Sequence, residues 1–234
     1  MNEVMRSPID PSNPVRFSVL RVPFFLEPGY TRDEDWSETN RTRLERKWGG
    51  KAAFAAQKHR HRLKERGQEV GIAHFNLDRL ASNTLASHRL VQWVTKNYGC
   101  AVSEALYNDL NYRHFVKGQK LNDKNMLCEA AANAGVDAAR CAEFLASEEG
   151  YVEIEETQKK LHELGIHSIP NFVIGGQYVV SGAVHSSELV QIFRGIEKKG
   201  KGAPEAAFAE TLRIPEDMRG IHLPAPEDLP KQQL

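Results

Sequence analysis

The chain has 234 residues, a formal net charge of zero, 41% hydrophobic residues and 26% charged residues. That length supports one large domain with a sizeable core, and the balanced charge supplies no general field for nucleic acid or anionic lipid. No apolar run approaches the ~20 residues that cross a bilayer. Three widely spaced cysteines also argue against a secreted disulfide framework, so neither nucleic acid nor membrane is expected as a partner and the cytoplasm is the default location.

Met1 to Pro14 is polar, carries Pro8, Pro11 and Pro14, lacks the apolar core of a signal peptide, and reads as an irregular lead-in. Val15 to Val22 alternates apolar Val15, Phe17 and Val19 with polar Arg16 and Ser18, which predicts a strand. Pro23 to Gly29 ends it. A short helix is expected around Arg41 to Trp48, stopped by Gly49-Gly50. Lys51 to Arg66 predicts a further helix capped by Gly67. Phe75 and Leu80 fall in a connecting loop.

From Ser82 to Leu164 the pattern is helical almost throughout. Ser82-Asn83 is suited to cap a helix carrying Leu90, Val91, Trp93 and Val94. Leu106, Leu110, Phe115 and Val116 mark the next. Asp123 opens a helix with Met126, Leu127 and Ala130, closed near Gly135. Asp137 opens a short one with Cys141, Phe144 and Leu145, closed by Gly150. Val152 to Leu164 ends at Gly165. Phe172, Ile174, Tyr178 and Val180 then read as two short strands around a two-residue Gly175-Gly176 turn, since glycine accepts the positive φ that a primed hairpin turn needs. Ser186 or Ser187 is expected to cap an amphipathic helix with Leu189, Ile192, Phe193 and Ile196 on one face. Residues 199–234 read as a mostly disordered tail, with one short helix near Pro204 to Leu212. No fixed-period repeat is evident.

Strand, helices, helical block, hairpin and helix in that order give a βα…ββα plan with a mixed sheet. Four stretches resemble DsbA-like thioredoxin-fold proteins, in particular the FrnE-type branch. Phe17 to Pro28, with Val22-Pro23-Phe24-Phe25-Leu26-Glu27-Pro28, is similar to the family's second strand and the stretch after it. Asn83-Thr84-Leu85-Ala86-Ser87-His88-Arg89-Leu90 is similar to the start of the helical insertion. Phe144 to Gly150 is similar to the segment before the insertion's last helix, and Gly165 to Gly182 to the cis-proline loop and hairpin. The resemblance runs from about Val15 to Lys198. It implies an α/β, thioredoxin-like fold at residues 15–198 with a helical insertion at about 82–164. The implied function is protein thiol–disulfide oxidoreduction on extended, cysteine-containing peptides or proteins.

The chain departs from that family at its start. The family opens with a strand and a Cys-x-x-Cys at the head of a helix. Met1 to Pro14 holds no cysteine, so the family's first strand and the start of its active-site helix are expected to be missing. A truncated gene model is the favoured explanation, ahead of a splice product or a divergent protein that rebuilt the gap. As written, the chain is expected to be inactive in exchange and to have no catalytic residue, cofactor or metal. Alternatives are a non-catalytic peptide-binding module, or a relative of glutathione-dependent isomerases and kappa-class transferases.

Thiol exchange needs an accessible thiolate, usually at a helix N-terminus, and a resolving thiol. Cys100 follows Gly99 at a helix-to-loop boundary, Cys128 is mid-helix beside Leu127, and Cys141 shares an apolar face with Phe144. All three read as packing thiols, although Cys128 and Cys141 lie on adjacent helices. Ile169 and Pro170 are the candidate substrate-binding residues: a cis bond there, which the resemblance implies, would leave the Ile169 backbone free for an extended ligand. Asn83 and His88 are weaker candidates, read first as a helix cap and a half-buried histidine. His59 and His61 do not share a helix face. Lys58, Arg60, Arg62, Lys64 and Arg66 spread round their helix as a solvated surface. Trp36, Trp48 and Trp93 are expected in cores.

Overall fold

The computed structural model describes residues 1–15, 17–69, 72, 74–176, 178–200 and 208–219. In chain order the elements are α1 (Asn2–Arg6), β1 (Glu38–Thr39), α2 (Asn40–Trp48), α3 (Lys51–His61), α4 (Leu63–Glu69), β2 (Leu80–Ala81), α5 (Leu85–Phe115), α6 (Lys124–Asn133), α7 (Ala138–Ala146), α8 (Tyr151–Glu163), β3 (Asn171–Ile174), β4 (Tyr178–Ser181) and α9 (Ser186–Lys199). A single 3₁₀ turn follows at Glu216–Met218.

The chain divides into two compact units. The first takes the described residues of Met1–Leu26, Gln92–Ser103 and Glu149–Leu229. One cluster in its core joins Leu161 of α8 to Phe208, Leu212 and Ile214, with Leu20, Val22, Phe24, Ile166 and Met218 packed against it. Leu20, Val22 and Phe24 are spaced by two, the period of an extended chain. The expected strand at Val15 to Val22 nevertheless reduces to an isolated bridge at Phe17. Side chains take over the bonding that a ladder would supply. The Gln92 amide donates to the Arg21 carbonyl and the Gln158 amide to the Pro23 carbonyl. The strand prediction fails because extended backbone becomes sheet only when a second backbone pairs with it.

Other expectations shift for local reasons. The lead-in contains α1, with Val4 fully buried, and the Ile9 N–H donates to Glu197 Oε1 at 2.7 Å. Within the expected tail, Phe208, Ala209, Leu212 and Ile214 are buried; residues 201–207 and 220–234 lie outside the described residues. His185, not Ser186 or Ser187, caps α9, its Nδ1 accepting from the Ser187 N–H. In the hairpin, Ile174 pairs with Tyr178, so its loop holds three residues rather than two. Gly175 and Gly176 have φ of 59° and 65°, the positive values that a tight reversal of L-residues resists.

The second unit takes the described residues of Glu27–Val91 and Glu104–Glu148. α2 is capped at Thr39, whose side chain accepts from the Thr42 N–H, and it ends on left-handed Gly49. The helix predicted for Lys51 to Arg66 breaks at Arg62 (φ 45°), and Gly67 lies inside α4 rather than capping it. α6 and α7 begin at Asp123 and Asp137, whose carboxylates accept backbone N–H groups of the first turn, as aspartate caps do. α7 ends at Ser147, and Gly150 instead opens α8. α5 runs past the boundary expected at Cys100, with a non-helical break at Gly99 (φ 85°, ψ 169°). Trp93 is buried, whereas Trp36 and Trp48 are half-buried against Tyr30 and Phe54.

The sheets are small. β1 pairs with β2 and β3 with β4, both antiparallel. No parallel pairing occurs among the described residues, so the expected mixed sheet is not formed by them.

Candidate functional site

The loop from Gly165 to Pro170 is built by the end of α8. Gly165 is left-handed (φ 68°). Its N–H donates to the His162 carbonyl at 3.0 Å, and the Ile166 N–H reaches the Leu161 carbonyl at 2.9 Å. These two bonds are a Schellman closure, with Ile166 set on the Leu161 core as the motif's apolar contact. The chain therefore leaves α8 in a fixed direction.

The far end is fixed by the hairpin. The Gly182 N–H donates to the Pro170 carbonyl at 2.8 Å. The Asn171 amide donates back to the Ser168 carbonyl, and the Ser181 hydroxyl donates to Asn171 Oδ1. The Ile169–Pro170 peptide bond is cis. Between the anchors, Ser168, Ile169 and Pro170 are exposed, and the Ile169 side chain is 50% accessible. Neither the N–H nor the carbonyl of Ile169 has a partner among the described residues. On the adjoining hairpin Phe172 and Val179 are exposed at 37% and 62%, and no residue of α9 is fully buried. A pinned loop thus offers the backbone N–H and carbonyl of Ile169 and a large aliphatic side chain beside an apolar hairpin. That suits the backbone of an extended ligand, not a proton-transfer reaction.

The cysteines occupy different surroundings. Cys100 is buried in the first unit, its thiol near the Arg219 carbonyl at 3.5 Å. Cys128 and Cys141 belong to the second unit, Cys128 half-buried and Cys141 fully buried. All three are free thiols, and no Cys-x-x-Cys occurs in the sequence. Burial, and then the neighbouring Cys128 sulfur, push the Cys141 thiol up to about 12. It keeps its proton at neutral pH.

Asn83 is fully used in place, its amide donating to the Tyr30 carbonyl at 2.8 Å and its Oδ1 accepting the Leu85 N–H at 2.8 Å. His88 is half-buried in α5. The side chains of Lys58, His61 and Lys64 lie outside the described residues. Among the described residues no three His, Cys, Asp or Glu side chains gather as a metal site, and no helix is long and apolar enough to cross a membrane.

A pair of groups that sequence reading missed is Arg79 with His114. The guanidinium lies over the rings of Phe75 and Phe115, at 5.0 and 4.9 Å, and its Nε–H donates to His114 Nε2 at 3.2 Å. Burial pulls Arg79 down to about 10. Burial also lowers His114 to about 4, reinforced by the nearby Arg79 and Arg43 charges against a favourable bond to the Gln119 carbonyl. No local motif announces a pair 35 positions apart.

The sequence model of the DSBA-like thioredoxin domain matches residues 22–194. Among solved structures, the chain is similar to a probable DsbA oxidoreductase from Streptomyces coelicolor. Identity is 26%, the TM-score is 0.64, and the match covers 78% of this chain and 76% of the other. No curated protein shows significant similarity to the chain.

Proposed function

Because this chain belongs to the DSBA-like thioredoxin domain family, we propose that it serves thiol–disulfide oxidoreduction of the FrnE type by holding extended, cysteine-containing peptides or proteins at Ile169 and Pro170. The observation that carries this reading is the unpaired backbone of Ile169, held in an exposed loop with both ends pinned. A ligand strand laid against it would gain main-chain hydrogen bonds, and Phe172 and Val179 would give its side chains apolar contact. The sequence contains no Cys-x-x-Cys. Ile169 and Pro170 therefore bind the substrate chain and do not themselves turn over its disulfide. The free state of all three cysteines supports work in the cytoplasm, where thiols stay reduced.

The test is titration of the full chain with an extended peptide whose cysteine is alkylated, followed by amide chemical shifts. Shifts should centre on Ser168 to Phe172, and Ile169→Asp should weaken binding by at least tenfold with the fold intact. Wild-type protein that leaves these amides unmoved at millimolar peptide sinks the reading.

A further inference from the structure

The end of α8 brings together two histidines that the loop site does not use. His162 stands in the last turn of α8, and His167 lies on the exit loop, two residues before Ile169. Their rings meet edge to face, with centroids 5.3 Å apart and planes inclined by 65°. In a helix that simply continued, positions five apart would point about 140° away from each other. The Schellman closure at Gly165 and Ile166 turns the chain back instead, so the backbone itself imposes the meeting. Both side chains are exposed, and among the described residues neither ring has a hydrogen-bond or ion-pair partner. A neutral imidazole keeps one nitrogen lone pair free, so each ring has one to offer. The pair sits at the C-terminal end of a 13-residue helix, where the aligned peptide dipoles favour a cation.

We propose that His162 and His167 form a two-imidazole site for a borderline divalent transition ion such as zinc. The spacing fits. Nitrogens roughly 2 Å from a tetrahedral zinc set two ring centroids about 5 Å apart, so from 5.3 Å ring rotations suffice and the backbone stays in place. Imidazole suits zinc, copper(II) and nickel(II), whereas calcium and magnesium select oxygen. No third His, Cys, Asp or Glu completes a cluster among the described residues, so water fills the remaining positions on the ion. The bound ion ties His167 to α8 and adds a third anchor to the two backbone anchors of the loop. Its binding needs no peptide, so the site stands or falls independently of the function proposed above.

The experiment strips the full chain with a chelator, titrates it with zinc chloride in a non-coordinating buffer, and follows the histidine ring signals by NMR. The expected result is a joint shift of the His162 and His167 rings that saturates at one zinc per chain. His162→Gln and His167→Gln should each weaken that binding by about tenfold or more, because a chelate held by two linked groups is lost. Calcium at the same concentration should leave both rings unmoved. Any of four results overturns the proposal: both rings unmoved at millimolar zinc, a response from only one of them, a calcium response equal to that of zinc, or zinc affinity unchanged in either variant. The rings are read one by one in the unmutated chain. Zinc taken up by thiols elsewhere therefore cannot mimic the result, and a variant that misfolds leaves the answer intact.

Discussion

The Arg79–His114 pair makes the stability of this protein depend on pH in a stated direction. His114 Nδ1 lies 2.9 Å from the Gln119 carbonyl and Nε2 lies 3.2 Å from the Arg79 Nε. A carbonyl only accepts and a guanidinium N–H only donates, so the ring is neutral, with its proton on Nδ1. A second proton would go on Nε2, where it would destroy the acceptor and face a cation. With the folded ring near 4 and the unfolded ring near 6.5, the unfolded chain binds more protons between those values. The stabilisation is therefore present above about pH 6.5 and is lost as pH falls toward 4. At ~1.36 kcal/mol per pH unit over the working part of that window, falling from pH 7.5 to pH 5.0 costs about 2 kcal/mol. The assay is urea unfolding at both pH values for wild type and His114→Gln, with the His114 ring followed by NMR in the folded protein. Gln keeps a donor for Gln119 and an acceptor for Arg79 but does not titrate. The pH-dependent loss should therefore be smaller in the variant by about 2 kcal/mol. Equal losses in the two proteins, or a folded His114 that titrates above pH 6, would sink this account.

Leu212→Ala removes three buried carbon groups worth ~0.8 kcal/mol each and leaves a cavity; with Leu212 only 2% exposed, urea unfolding should show a loss of about 3 kcal/mol. Leu164→Ala, at a site 54% exposed, should stay within about 0.5 kcal/mol in the same measurement. Asp137→Ala frees the Arg140 N–H and should cost about 1 kcal/mol; Asp137→Asn should recover most of that, since an amide oxygen also accepts. Gly182→Val forces a β-branched residue into φ 87° beside the Pro170 carbonyl bond. It should lower Tm by several degrees and broaden the amide signals of Ser168 to Asn171.

How much of this was legible in the sequence divides by the range of the interaction. Asp123 and Asp137 could be read as caps because the bond closes within three residues, and Gly49 as a stop because a left-handed residue acts on the helix it ends. The same local logic misassigned Gly150, since a positive-φ glycine fits before α8 as well as after α7, and it overlooked His185, whose ring nitrogen does the work of a serine oxygen. Val15 to Val22 has the right period and takes an extended path. Whether that path becomes a strand depends on a partner backbone, and here Gln92 and Gln158, distant in sequence, satisfy the carbonyl of Arg21 and that of Pro23 just past its end. Phe208 to Ile214 is too short for a periodic signal, and only its landing on Leu161 makes it core. The loop at Ile169 and Pro170 stood out because Gly165, Pro170, Gly175 and Gly176 are local punctuation.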